Sequence, residues 1–140
     1  MLKVQLRHAS LPAPIGLIAS HYWFVVFDGP KAERWEVWQT QHAGGRAVGH
    51  VHCDLKPPDA GVGGGPMRIA AEWTGEEAAR IREVLVRAQA YPFCQRYRYW
   101  PGPNSNTFVA WVLREAGIAF PLPRRAIGCR FPGIAPKSHG

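Results

Sequence analysis

One stretch, residues 99–114, constrains the fold of this chain more than any other part of the sequence. It reads Tyr-Trp-Pro-Gly-Pro-Asn-Ser-Asn-Thr-Phe-Val-Ala-Trp-Val-Leu-Arg. Proline fixes φ and has no backbone N–H, so Pro101 and Pro103 end whatever element precedes them. We call residues 100–103 the elbow. The sequence therefore predicts a new element that starts directly after the elbow.

A helix is predicted from this point. The side-chain oxygens of Asn104 and Ser105 suit an N-cap, because they accept hydrogen bonds from the free N–H groups of a first turn. Gly117 stands where such a helix ends, and apolar residues recur between them at helical spacing: Phe108, Val109, Val112 and Leu113. Asn104, Ser105 and Asn106 are then either a simple cap or a functional site at the positive end of the helix dipole.

The rest of the chain predicts a sheet and one further helix. Alternating or continuous apolar patterns predict strands at residues 3–8, 18–27, 34–40, 46–55 and 67–71, with a last short strand at 126–131. Thr74 and Glu77 have the spacing of a capping box at the start of a helix that ends near residue 90. The Gly- and Pro-rich residues 56–66 are predicted to form a loop that could act as a flap. This order indicates a single α+β domain, residues 1–140, with an antiparallel sheet and two main helices.

Composition narrows the classes of protein to which the chain can belong. With 140 residues, 46% of them hydrophobic, it can bury a core, and no apolar run has the length of a membrane span. The N-terminus lacks the apolar core of a secretion signal, and three widely spaced cysteines favour reduced thiols, so a cytoplasmic protein is predicted. The net charge of +7 comes from scattered residues, which favours a solvated basic surface over nucleic-acid binding.

The strands supply partners for a nucleophile at Ser105. A serine hydroxyl needs an adjacent base and a group that orients the base. His21 lies in an otherwise apolar strand, where an imidazole is costly without a partner. Glu36 lies in the next strand, so the two side chains could meet across the ladder. In the alternative hypothesis, His21 marks a strand end and Glu36 faces solvent beside Arg34.

Two other clusters favour structural explanations. His50 and His52 are predicted to point to one face of a strand, but Cys53 points away and no second ligand pair is near. Exposed positions on a hairpin explain these three residues better than a metal site does. Neither a metal nor another cofactor is predicted. Basic and aromatic residues alternate at 96–100, as on single-strand nucleic-acid platforms. A half-buried strand with an aromatic inner face explains that pattern better.

The central motif resembles that of a known family. Trp-Pro-Gly-Pro-Asn-Ser-Asn-Thr-Phe-Val at 100–109, with Arg-Trp-Glu-Val at 34–37 and Ala-Ile-Gly at 126–128, resembles an uncharacterised bacterial domain-of-unknown-function family over about residues 20–128. A wider resemblance is to circularly permuted papain-like proteins, the NlpC-type and lecithin:retinol acyltransferase-like group. It rests on Ser-His-Tyr at 20–22, on Glu36, and on Asn-Ser at 104–105 followed by Phe-Val at 108–109.

This wider resemblance implies a permuted papain-like fold with His21 as base, Glu36 as orienting group and Ser105 at the nucleophile position. The leading hypothesis is a hydrolase or acyltransferase acting on an amide or ester, with Trp100, Asn104 and Asn106 as ligand-binding residues. The group has cysteine where this chain has Ser105, and a hydroxyl ionises far less readily than a thiol. The alternative is therefore a non-catalytic domain that uses the cleft for a peptide or small ligand. Nucleic-acid binding is the third hypothesis.

Overall fold

The computed structural model describes residues 1–132, which form a six-stranded sheet and two main helices. The strands are β1 (Leu2–Ser10), β2 (Ser20–Asp28), β3 (Lys31–Val37), β4 (Arg46–Val48), β5 (Val51–Cys53) and β6 (Arg68–Thr74). The helices are α1 (Gly75–Val86) and α2 (Ser105–Glu115), with short 3-10 turns at Ile15–Leu17 and Ala88–Ala90. No helix within the described residues is long and apolar enough to cross a membrane.

The sheet is antiparallel, with strand order β4-β5-β3-β2-β1-β6. Alternate residues of a strand point to opposite faces. On β2, Tyr22, Phe24 and Val26 join the main core together with buried side chains of α1 and α2. Both helices therefore cover one face of the sheet. The predicted α+β class and antiparallel sheet are confirmed.

The opposite face of the sheet is covered by the loop at residues 56–66. Trp23 and Val25 form a second, smaller core, against which Val62 of the loop packs. Buried donors on the strands also bind the loop backbone. Arg34 Nη1 donates to the carbonyls of Pro57 and Ala60 at 2.9 and 2.7 Å, and Trp23 Nε1 donates to that of Pro58 at 3.2 Å. Residues 56–66, which the sequence suggested as a flap, are thus held on the sheet by these hydrogen bonds.

Two strand predictions were wrong. Residues 126–131 form successive turns, because their backbone groups bind each other and the start of α2. Thr107 Oγ1, for example, donates to the carbonyl of Gly128 at 2.7 Å.

Residues 46–55, predicted as one strand, form two short strands, β4 and β5, separated by a turn. Gly49 lies in that turn at φ +59, where a Cβ would stand 2.1 Å from the carbonyl oxygen of Cys94.

The two helix starts also differ from each other. Thr74 still pairs with Lys3 as the last residue of β6, and its side chain makes no capping hydrogen bond, so the capping box predicted there is absent. The capping box of α2 is present and uses Asn104 and Thr107. Gly117 follows α2 at φ +70, which agrees with its predicted role as the helix stop.

Candidate active site

Asn104 caps α2 and leaves Ser105 as the first helical residue. Its Oδ1 accepts hydrogen bonds from the backbone N–H groups of Asn106 and Thr107 at 3.0 and 3.3 Å. Thr107 Oγ1 completes the capping box by accepting from the Asn104 N–H at 3.0 Å. Asn104 Nδ2 donates to the carbonyl of Tyr99, which ties the helix start to the residue before the elbow. Of the two caps that the sequence allowed, the structure therefore uses Asn104.

The Ser105 side chain lines a cleft and has no hydrogen-bond partner among the described residues. It is 8% exposed, and its hydroxyl makes no hydrogen bond within residues 1–132. His21 lines the same cleft. No hydrogen bond joins the two side chains. A hydroxyl in this position is free to contact a molecule that enters the cleft.

Asn106 fastens the first turn of α2 to β2 on both sides of His21. Its Oδ1 accepts from the Tyr22 N–H at 3.1 Å, and its Nδ2 donates to the Ser20 carbonyl at 2.9 Å. The same Nδ2 donates to the carbonyl of Ile127 at 3.0 Å. Because the side chain is only 4% exposed, these three bonds are shielded from water. Asn106 thus sets the relative position of Ser105 and His21.

His21 and Glu36 meet across the β2–β3 ladder, which agrees with one of the two hypotheses that the sequence left open. Phe24 pairs with Trp35, so the side chains of His21 and Glu36 lie on the same face of adjacent strands. His21 Nε2 is 2.5 Å from Glu36 Oε2. Glu36 is completely buried, so the alternative in which it faces solvent is wrong.

Arg34 completes a buried charge network that the sequence analysis missed. Its Nε and Nη2 donate to the two oxygens of Glu36 at 2.8 and 3.0 Å, and its guanidinium lies 4.0 Å from the Trp23 ring centroid. Arg34 is completely buried. The available signal was its position two residues before Glu36, because residues i and i+2 of a strand share a face.

The charge state of Glu36 follows from its neighbours. Burial alone would raise the pKa of this carboxyl, because desolvation disfavours the charged form. The hydrogen bonds and charges of His21 and Arg34 outweigh that effect and hold the pKa of Glu36 below its usual range. Glu36 is therefore a carboxylate at neutral pH.

The carboxylate orients the His21 ring. With Nε2 bound to Glu36, a neutral imidazole carries its proton on Nε2 and presents Nδ1 as a hydrogen-bond acceptor. Nδ1 has no hydrogen-bond partner among residues 1–132. The ring is packed between Trp23, stacked at 5.6 Å, and the edge of Trp38 at 5.7 Å. This packing leaves the imidazole few alternative orientations.

The cleft that contains these groups has a volume of about 640 Å³. Its lining is mainly apolar and comes from residues 11–19 on one side and from Tyr97, Tyr99 and Trp100 on another. Trp100 is 69% exposed at the rim. Asn104 and Asn106 also lie at the cleft, but their amide groups are used by protein partners. The predicted site residues Ser105, His21, Trp100, Asn104 and Asn106 thus line one cleft, and Glu36 lies behind His21.

The two histidines near β5 have structural roles. His50 Nδ1 contacts the Trp38 carbonyl at 2.8 Å, and His52 Nδ1 contacts the His50 carbonyl at 2.9 Å. His52 Nε2 accepts from the Ala43 N–H at 3.1 Å. Both histidines are buried, so the prediction of exposed hairpin positions was wrong. Their ring nitrogens bind the backbone at Trp38 and Ala43, before β4, and at His50, between β4 and β5.

One group of residues in the described part of the chain has donor atoms close enough for a metal ion: Glu33, Cys53 and Asp54. Arg46 binds both Glu33 and Cys53 and so places a positive charge beside these donors. Burial raises the pKa of the Cys53 thiol to about 12, which leaves it protonated. This donor set does not suit a cation.

The basic and aromatic segment at residues 96–100 is not a strand, contrary to the prediction. Tyr97 packs against His50 with ring centroids 5.5 Å apart, and Arg96 lies over the rings of Phe93 and Phe131. Tyr97, Tyr99 and Trp100 line the cleft instead of forming a separate platform.

We expect His52 to titrate below pH 6.5. Burial, the main cause, lowers the pKa of His52, and protonation would destroy the acceptor that binds Ala43. Because the folded pKa is lower than the unfolded one, stability contributed by neutral His52 is lost as pH falls through the folded pKa. An NMR titration of the imidazole nitrogens should show an Nδ1–H tautomer and a midpoint below 6.5. A midpoint above 6.5 would contradict this assignment.

The fold and cleft define an α+β domain in which a buried histidine–carboxylate pair and a helix N-terminus meet at one cleft. Residues 1–131 match the family described as "Protein of unknown function (DUF3750)", and the chain belongs to that family. Comparisons with curated proteins and with solved structures give no match.

Proposed function

We propose that this protein is a hydrolase or acyltransferase that acts on an amide or ester, with Ser105 as nucleophile. The observation that carries the proposal is the buried Glu36–His21 pair, with a 2.5 Å contact, whose histidine lines the same cleft as an unpartnered serine at the start of a helix. A nucleophile, a base and a group that orients the base are the parts that acyl transfer requires. The permuted papain-like relationship belongs to the same proposal.

In the proposed reaction, each step is carried by a named atom. Ser105 Oγ attacks the substrate carbonyl carbon and passes its proton to His21 Nδ1. Glu36 stabilises the resulting imidazolium through the Nε2–H bond. When the tetrahedral intermediate collapses, the proton passes to the leaving amine or alcohol, and an acyl-serine remains. Water or an acceptor nucleophile then releases the acyl group, with His21 again acting as base.

The capping pattern restricts the source of oxyanion stabilisation. The N–H groups of Asn106 and Thr107 already bind Asn104 Oδ1, and that of Phe108 binds the Asn104 carbonyl. In the first turn of α2, the Ser105 N–H is the donor left for a developing oxyanion. The helix dipole adds a favourable field at the same point. We assign Asn104 and Asn106 to positioning, and Trp100 to contact with the bound molecule.

A fluorophosphonate probe tests the nucleophile directly. We expect wild-type protein to be labelled at Ser105 and the Ser105→Ala variant to remain unlabelled. Glu36→Gln should label at least about tenfold more slowly, because the carboxylate no longer supports the imidazolium. Intact-mass and peptide mass spectrometry measure the stoichiometry and the position.

The matched control for this experiment is Ser10→Ala, which removes a hydroxyl at the end of β1 and should be labelled like wild type. Ser105→Ala should fold normally, because its hydroxyl has no hydrogen bond to lose. An unlabelled wild-type protein, or equal labelling of Ser105→Ala, would refute the serine nucleophile.

The second candidate is a non-catalytic domain that binds a peptide or small ligand in the same cleft. It is favoured by the missing hydrogen bond between His21 and Ser105 and by the apolar lining. This function predicts no labelling by the probe and unchanged ligand affinity in Ser105→Ala. Equilibrium binding of the two proteins to the same ligand, measured by calorimetry, separates it from catalysis.

A further inference from the structure

Large apolar side chains are exposed around the mouth of the cleft. Ile18 and Trp100, which line the cleft, are 66% and 69% exposed, and Leu17, which precedes Ile18 in the chain, is 78% exposed. Ile15 and Tyr99 beside them are 41% and 46% exposed. We call these five residues the mouth patch. Contiguous exposed apolar residues on a protein surface mark a site of contact with a partner or a lipid surface.

The exposed position of Leu17 and Ile18 is enforced by the fold. Arg125 donates from Nη1 to the Leu17 carbonyl at 2.9 Å, and from Nη2 to the carbonyls of Gly16 and Ala19 at 2.5 and 3.3 Å. The backbone of this segment therefore turns its polar groups toward Arg125. The apolar side chains are left on the outside, and the hydrogen bonds oppose their collapse into the core.

Positive charge lies beside the mouth patch. The Lys56 ammonium is 4.9 Å from the ring centroid of Trp38, a cleft residue, and Arg98 directly precedes Tyr99 in the chain. Arg125 lies under Leu17, and the whole chain has a net charge of +7. Exposed aliphatic and aromatic side chains flanked by basic groups are typical of surfaces that insert into the headgroup region of an anionic bilayer.

We propose that the mouth patch docks on an anionic lipid surface, with Leu17, Ile18 and Trp100 inserted at the interface. This inference goes beyond the proposed function and does not rest on it, because docking requires neither Ser105 nor His21. The charge complementarity between a +7 protein and an anionic surface favours this occupant over a second copy of the same basic chain. The cleft mouth then opens toward the bilayer.

Vesicle flotation of the full chain tests this proposal. We expect the protein to float with vesicles of phosphatidylglycerol and phosphatidylcholine, and to float several-fold less with phosphatidylcholine alone. Leu17→Asp and Ile18→Asp should each weaken binding by about tenfold or more, since each replaces a buried aliphatic contact with a charge facing an anionic surface. The matched control is Val86→Asp, which adds the same charge at a 57% exposed apolar residue on α1 and should bind like wild type.

Three outcomes would overturn the proposal. The first is no flotation of wild type with the anionic vesicles. The second is equal binding by Leu17→Asp, Ile18→Asp and Val86→Asp. The third is a dimer in sedimentation velocity that Leu17→Asp dissociates, which would identify a second copy as the partner. Ser105→Ala should float like wild type, so a failure of catalysis and a failure of docking are distinguished.

Discussion

Arg34→Met is expected to lower the free energy of unfolding by about 3–5 kcal/mol, the range for removal of one partner from a buried ion pair. The variant leaves Glu36 buried with His21 as its remaining partner. It also removes the Arg34 donor from the Ala60 carbonyl and leaves the Pro57 carbonyl with the Ala60 N–H as its remaining donor. Methionine approximates the length of the aliphatic part of the arginine side chain. The decrease in unfolding free energy therefore comes chiefly from the lost charge and hydrogen bonds. Urea denaturation followed by circular dichroism measures the difference.

Arg46→Met is the matched control. Its side chain is 69% exposed and pairs with Glu33 at the surface, where an ion pair is worth about 0–1 kcal/mol. The two variants remove the same charge from two strands of one sheet, so their difference isolates the effect of burial. Equal unfolding free energies for the two variants would show that the Arg34–Glu36 pair contributes little to the fold.

Asn106→Asp is expected to be the second most damaging substitution, with a loss of about 3 kcal/mol or more at pH 7. It preserves shape but removes the two N–H bonds to Ser20 and Ile127, and it places a carboxylate against their carbonyl oxygens. These acceptors raise the folded pKa of the new carboxyl above its unfolded value of about 3.9. The destabilisation should therefore be complete above the folded pKa and should diminish as pH falls through it.

Unfolding curves for Asn106→Asp between pH 4 and 8 measure both the loss and its pH dependence. Ser105→Ala changes the neighbouring residue of the same helical turn and should stay within about 0.5 kcal/mol of wild type, because no hydrogen bond is broken. A pH-independent loss in Asn106→Asp, or an equal loss in Ser105→Ala, would contradict the anchoring role of the Asn106 amide.

Much of the sheet and the start of α2 could be predicted from local pattern. Alternation of apolar residues indicated β1 and β3, a nearly continuous apolar run indicated β2, and the polar triplet after the elbow indicated where α2 begins. Pairing two strands across the turn at residues 28–30 made a contact between His21 and Glu36 one of two possible arrangements. These features depend on neighbours in the chain or on a single ladder, which is the information that periodicity and turn residues carry.

The features that sequence did not predict depend on contacts from distant segments. The sequence analysis gave Arg34 no role beyond standing beside a solvent-facing Glu36 in the alternative hypothesis, because its acceptors, Pro57 and Ala60, lie in a loop of no regular pattern. Residues 126–131 have strand composition, but α2 supplies their hydrogen-bond partners before any sheet edge does. The choice of Asn104 over Ser105 as the cap also required the backbone position of Thr107. Tertiary hydrogen bonding overrode local propensity in each case.

The tie between the loop at residues 56–66 and Arg34 has a consequence for folding kinetics. The contacts that assemble the site join residues 15, 26 and 86 positions apart in the chain, through Glu36, Ala60 and Asn106. Loop closure over such separations is costly until most of the domain is in place, which makes high-contact-order structures form slowly. The His21–Glu36 pair should therefore gain its geometry late in folding, after the strands that bear it. A fragment that lacks β3 or α2 would not retain the site.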